Sequence, residues 1–130
     1  MKLLVCGSRP PCACAGIAYC DVCKPALDQV WQVMQAHAPV PTEVVAGGAR
    51  GPDDWAHNWA VLNGVPATVV KPDWNRYGRS AGMRRNEAML DLKPDKVLAF
   101  WDGRSRGTKH MIEIARRAGV PVEIVVRPKP

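Results

Sequence analysis

Three short stretches of this chain bring glycine together with arginine and a hydroxyl or carboxyl group. They are Gly7-Ser8-Arg9, Gly47-Gly48-Ala49-Arg50-Gly51-Pro52-Asp53 and Gly103-Arg104-Ser105-Arg106-Gly107-Thr108. Glycine lets backbone N–H groups approach an anion with no Cβ in the way, and a helix starting beside such a loop adds partial positive charge. Each stretch is therefore a candidate phosphate cradle. One such loop alone is more often only a tight turn; three of them point to a shared site. Pro52 suits a first helical turn, and Asp53 beside it can cap that helix or accept a ribose hydroxyl. A further stretch, "DWNRYGRSAGMRRNEAM", sets Arg76, Arg79, Arg84 and Arg85 around Trp74 and Tyr77. Guanidinium forks suit phosphate and aromatic faces suit a base, although Trp74 can equally be a core side chain. Arg85 and Asn86, at the start of a helix, complete the candidate ligand-binding set.

A different chemistry is written into "CACAGIAYCDVC", where Cys12, Cys14, Cys20 and Cys23 follow a C-x-C-x5-C-x2-C pattern. In a chain expected to stay unexported, four thiols this close favour a metal over disulfides. A tetrahedral structural Zn²⁺ held by the four thiolates is the expectation, with free thiols or an iron–sulfur cluster as alternatives. Cys6 lies apart from the quartet and reads as a small core residue. His37, His57 and His110 show no spacing for a metal triad, and only His110, two residues past Thr108, falls near the glycine loops.

The elements that must position these groups follow from the period of the apolar residues. "KLLVC", "EVVA", "ATVV", "KVLAF" and "VEIVV" are short and almost continuously apolar, as strands buried on both faces are. They predict strands near 2–6, 43–46, 67–70, 96–100 and 122–126. Between them, helical spacing relates Leu27, Val30, Trp31 and Met34, then Trp55, Ala56, Trp59 and Ala60, then Met111, Ile114, Ala115 and Ala118. A further helix is expected from Ala81 to about Leu92, stopped by the Lys93-Pro94 step. Strands alternating with helices imply βαβ units and a five-stranded parallel sheet flanked by helices, an α/β domain spanning 1–130 with residues 10–24 as an inserted cysteine-rich loop. The glycine loops then fall at the carboxyl ends of the first, second and fourth strands, where such sheets bind ligands.

Composition narrows the partners. Eighteen Lys and Arg against twelve Asp and Glu give a net charge of +6, which favours anionic ligands. The basic residues are scattered, with no block of like charge such as a nucleic-acid arm shows. No apolar run approaches the roughly 20 residues that span a bilayer, so a cytoplasmic chain without a membrane partner is expected.

"LLVCGSR", "VVAGGARGPDDWAHNWA", "DWNRYGRSAGMRRNEAM" and "VLAFWDGRSRGTKHMIEIA" together resemble the signature blocks of the YspA-type, cpYpsA-related branch of the SLOG superfamily, found in bacteria and their phages. The resemblance covers nearly the whole chain outside residues 10–24. It implies a Rossmann-like fold shared with the Lonely Guy phosphoribohydrolases and the DNA-processing Smf proteins, frequent oligomerisation, a nucleotide or nucleotide-derived ligand, and a place in conflict or stress systems. By the Lonely Guy pattern, Arg85 of "Met83-Arg84-Arg85-Asn86" stands nearest that family's catalytic arginine. The catalytic glutamate, three residues past the threonine of a Gly-Thr pair, is replaced by Met111. Glu113 lies about 160° round the helix from that position, leaving Asp102 as the remaining candidate carboxylate. A sensor or sequestering protein for a nucleotide derivative is the leading expectation. The alternatives are an enzyme cleaving an N-glycosidic or phosphate bond in such a molecule and a nucleic-acid-binding module.

Overall fold

A computed structural model of the chain describes residues 1–10, 19–49 and 51–128. Strand β1 (Lys2–Gly7) is followed by helix α1 (Lys24–Ala36), β2 (Glu43–Ala46), α2 (Pro52–Leu62) and β3 (Ala67–Val69). The chain continues through a single helical turn α3 (Trp74–Tyr77), a 3-10 turn (Gly78–Ser80), α4 (Ala81–Asp91), β4 (Lys96–Trp101), α5 (Arg106–Arg117) and β5 (Val122–Val126). All five strands are parallel, in the order β3-β2-β1-β4-β5. The chain steps outward from β1 to β3, then returns to lay β4 against the other side of β1. Strand order therefore reverses between β1 and β4, paired from Leu3↔Lys96 to Gly7↔Phe100.

Alternation along the strands divides the core. Leu3 and Val5 point to one face, where they meet Val30 and Met34 of α1 and Ala56, Trp59 and Ala60 of α2. Leu4 and Cys6 point to the other, against Met89 of α4 and Met111, Ile112 and Ala115 of α5. The amphipathic pattern of α5 follows: its inward stripe is buried, while Lys109 and Glu113 form an outward pair at 3.9 Å. Arg116 and Arg117 stand in its last turn, where the helix dipole favours cations.

The predicted strands match within one residue at each end. The fourth helix ends at Asp91, and Lys93, just before Pro94, takes a φ of +59°, the left-handed conformation in which many helices close. Around Trp74 the chain makes a helical turn because the Asp73 carboxylate accepts the Arg76 N–H at 3.1 Å. Of the three tryptophans on the apolar stripes of the predicted helices, Trp59 is buried. Trp31 and Trp55 pack edge to face on its outer side, with ring centroids 6.0 Å apart. Beyond β5 the chain stays anchored at Arg127, whose N–H donates to the Trp101 carbonyl at 3.1 Å.

Candidate functional site

At the reversal between β1 and β4, a cleft of about 400 Å³ opens at the carboxyl edge of the sheet. Its floor is Cys6 and Gly7 at the end of β1. One wall is Asp53 of α2 with Ala49, another is Arg85, Asn86 and Met89 of α4, and a third is Asp102, Ser105, Gly107 and Thr108 at the start of α5. Arg9 and Trp74 stand at the mouth. Trp74 is 53% exposed, so its indole is a free face and not part of the core, and Gly82 lies beneath it, its Cβ position 3.7 Å from Cη2.

The α4 wall is fixed by hydrogen bonds that cross the molecule. Arg85 Nη1 donates to the Gly47 carbonyl, and Arg85 Nε donates to Asn86 Oδ1 at 3.1 Å. Buried Asn86 in turn donates through Nδ2 to the Gly107 carbonyl at 3.1 Å and lies 3.1 Å from His110 Nδ1, tying α4 to α5. His110 thus stands behind Asn86 and does not line the cleft.

The "GGARG" turn is built differently from the expectation. Its amides close on the chain's own carboxylate: Asp53 Oδ2 accepts the Gly47 N–H at 3.1 Å and the Ala49 N–H at 3.4 Å. A Cβ at Gly47 would meet the Arg85 guanidinium and lie 2.9 Å from Asp53 Oδ2, so a side chain there displaces both groups. At Gly51 the backbone φ is +95° and a Cβ would fall 2.6 Å from Pro10. Asp53 is only 4% exposed, and burial pushes its pKa up to about 6, against the opposing pull of Arg85 and the two backbone N–H groups. Burial and the nearby Asp53 raise the Cys6 thiol, which stays protonated at neutral pH.

The α5 entrance is held by Asp102. Its Oδ1 accepts the N–H groups of Arg104 and Ser105, both at 2.8 Å, and its own N–H donates to Ser8 Oγ at 3.1 Å. Burial pushes the Asp102 pKa up, but those amides, the Ser8 hydroxyl and Arg127 outweigh it, leaving the carboxyl below its ordinary value. This geometry shapes a loop with a permanently ionised carboxylate; it does not tune a proton carrier near neutral pH. Trp101 Nε1 reinforces the loop by donating to the Ser105 carbonyl at 3.1 Å.

The structure thus brings Gly7, Arg9, Asp53 and Trp74 to one cleft with Arg85, Asn86, Asp102, Ser105, Gly107 and Thr108. Other predicted ligand contacts lie outside it. Ser8 is buried beneath the loop, Gly47, Gly48 and Gly51 shape the turn behind Asp53, and Gly103 turns the chain at a φ of +83°. Arg76 is turned toward the Tyr77 ring at 5.1 Å. Arg50 lies outside the described residues. Met111 is fully buried under β1 and β4, so the position that a catalytic glutamate takes in the Lonely Guy pattern holds a core side chain.

One participant is absent from the sequence reading. Arg127 reaches back from the end of β5, donates through Nη1 to the Arg9 carbonyl at 3.0 Å and through Nη2 to the Ser8 carbonyl, and stands 3.8 Å from Asp102 Oδ2. It clamps the first glycine loop to the third. Nothing local in the sequence ties Arg127 to residue 8.

Of the cysteine quartet, Cys12 and Cys14 lie outside the described residues. Cys20 and Cys23 stand at the start of α1 with their Sγ atoms 3.7 Å apart. Among the described residues, no group of three or more His, Cys, Asp or Glu is placed to hold a metal ion, and no helix is long and apolar enough to cross a membrane.

A parallel α/β domain with strand order 3-2-1-4-5 and a polar cleft at its reversal point is of the Rossmann-like class. Residues 1–77 match the model of the YspA, cpYpsA-related SLOG family. The chain is also 40% identical to the Gene 61 protein of Mycobacterium phage D29, over 102 residues that cover 72% of this chain and 81% of the phage protein. It belongs to the YspA, cpYpsA-related SLOG family. In fold it is similar to DNA processing protein A (DprA) from Streptococcus pneumoniae, with a TM-score of 0.69 and 21% identity. That match takes in 99% of this chain and 50% of DprA, so the chain spans half the length of that protein.

Proposed function

We propose that the protein binds a nucleotide or a nucleotide-derived, phosphate-bearing molecule in the cleft between β1 and β4, as a sensing or sequestering domain. The observation that carries this reading is the convergence of a buried polar wall, two guanidinium groups and one exposed indole on a single cavity. Its volume falls within the range of about 300–1,000 Å³ typical of small-molecule sites. The phosphate belongs at the first turn of α5, where the N–H groups have no intrahelical partner and no atom lies within 4 Å of the Cβ position of Gly107. Arg85 and Arg9 neutralise it, and Trp74 offers its face to the base.

A ligand panel of nucleoside 5′-monophosphates and their nucleosides, titrated by calorimetry, tests the reading. Arg85→Ala is expected to weaken nucleotides by roughly 1.5–3 kcal/mol, the range for a hydrogen bond to a charged group, and to leave nucleosides nearly unchanged. Equal weakening of both, or failure of every nucleotide to bind, overturns it.

A second reading, binding of single-stranded nucleic acid, is favoured by the exposed arginines 79, 84 and 104 on the segments flanking Trp74 and the cleft. Arg84 lies over the Tyr77 ring at 4.4 Å, which extends a stacking surface. The fold shared with a DNA processing protein supports it as well. Tighter binding of an oligonucleotide than of any mononucleotide, with a steep salt dependence, would put this reading first.

The cysteine loop is proposed to hold one structural zinc through Cys12, Cys14, Cys20 and Cys23. Support comes from the 3.7 Å separation of the Cys20 and Cys23 sulfurs, since Zn–S bonds of about 2.3 Å in a tetrahedron set S···S at about 3.8 Å. Metal analysis of the reduced protein is expected to give about one zinc per chain, lost in Cys20→Ser with the sheet still folded. Reduced protein free of any thiophilic metal refutes the assignment.

A further inference from the structure

One group in the cleft has no role in holding a phosphate. Asp53 is buried, ionisable and faces the cavity, and a negative charge there repels a phosphate. Among the described residues, only one of its two oxygens is occupied. Oδ2 takes the Gly47 and Ala49 amides, while Oδ1 accepts no hydrogen bond among the described residues. Capping does not explain the residue either, because α2 starts at Gly51 and Pro52 with no side-chain cap. An asparagine would satisfy the same two amides without burying a charge. What the carboxylate adds is a strong acceptor aimed at whatever reaches the cleft floor.

Given the nucleotide reading above, on which this step rests, the base lies at the mouth on Trp74 and the phosphate at α5. The sugar is then the part that reaches the floor, and its neutral donors are hydroxyls. We propose that Asp53 reads the ribose hydroxyls of the ligand, so that the cleft selects ribonucleotides over 2′-deoxyribonucleotides. A site built to bond a hydroxyl discriminates strongly against the analogue lacking it, because its buried acceptor is left unpaired.

Selection by Asp53 has a pH signature. The groups facing the carboxyl are Arg85 on α4, Cys6 on β1 and, on its own helix, Asp54. A bound hydroxyl donor favours the ionised carboxyl, so affinity falls as pH drops through about 6. The ligand's own second phosphate ionisation falls in the same range. Asp53→Asn separates the two, since it keeps the phosphate contribution and removes that of the carboxyl.

The experiment titrates the full chain with four ribonucleoside 5′-monophosphates and their 2′-deoxy counterparts at pH 8, in the unaltered protein and in Asp53→Asn. The best ribonucleotide is expected to bind at least about tenfold more tightly than its deoxy form. In the variant, whose amide oxygen still accepts from Gly47 and Ala49, the two series become equal. Equal binding of both series to the unaltered protein overturns the inference while leaving the phosphate reading in place. Binding of neither overturns both. A ribose preference that persists undiminished in Asp53→Asn assigns the selection to another residue and refutes the role given to Asp53. Should the variant fail to fold, Asp53→Ser takes its place: a lost ribose preference supports the role given to Asp53, and an undiminished one refutes it.

Discussion

Asp53→Asn is expected to make the ligand-free protein more stable at pH 8 by about 1–3 kcal/mol. The cause is the buried charge. Burial raises the carboxyl from 3.8 to about 6, a displacement corresponding to about 3 kcal/mol of preference for the protonated form. Because the folded value lies above the unfolded one, the native state holds this proton more readily than the unfolded chain. The stability this group contributes is complete below about pH 3.8 and is lost as pH rises through about 6. At pH 8 the native state carries the full desolvation cost, only partly offset by Arg85 and two backbone amides. An asparagine keeps those amides bonded and carries no charge. Urea unfolding of both proteins at pH 3, 6 and 8 checks the expectation: the curves should nearly coincide at the lowest pH and separate progressively above it. A variant less stable than the original at pH 8 would mean that the charge is a net contributor to the fold.

Gly7→Ala is expected to destabilise the fold by about 3 kcal/mol, the upper end of the usual range for overpacking. A Cβ on Gly7 would lie 2.6 Å from Cβ and Cγ of Pro52 and 2.9 Å from the Phe100 carbonyl oxygen. Neither neighbour can rotate aside, since one is a proline ring at the start of α2 and the other is the backbone of the adjoining strand. The first turn of α2 must therefore move off the sheet, and Asp53 moves with it. Ligand affinity should fall together with stability. Gly107→Ala is the matched control. Nothing lies within 4 Å of its Cβ position and it sits in a helix, where alanine is favoured over glycine, so stability should hold or rise while the cleft is obstructed. Equal melting temperatures for Gly7→Ala and the original protein would show that α2 is not seated on β1 as described.

The five strands, the four longer helices and their order are legible in the sequence, because each of these is a local property. Apolar runs such as "KLLVC" read as strands buried on both faces, and the spacing of Met111 and Ala115 assigns them to the inward side of α5. The positions of the glycine loops at strand ends follow from the same periodicity, which is why most of the cleft, from Gly7 and Asp53 to Arg85 and Thr108, was legible. Tertiary structure alone decided which group meets which. Arg85 bonds to a carbonyl 38 residues away and Arg127 to one 119 residues away, contacts created when the chain crosses back from β3 to set β4 beside β1. The "GGARG" turn shows the difference most plainly. Its glycines suggest an anion cradle, but only the packing of α2 against β1 reveals that two of its amides are taken by the chain's own Asp53, which is why the phosphate is proposed for the first turn of α5 instead. Trp74 and Trp59 have the same side chain, and no local pattern separates an exposed indole from a buried one; whether a neighbouring element covers the ring is settled by the layers of the fold.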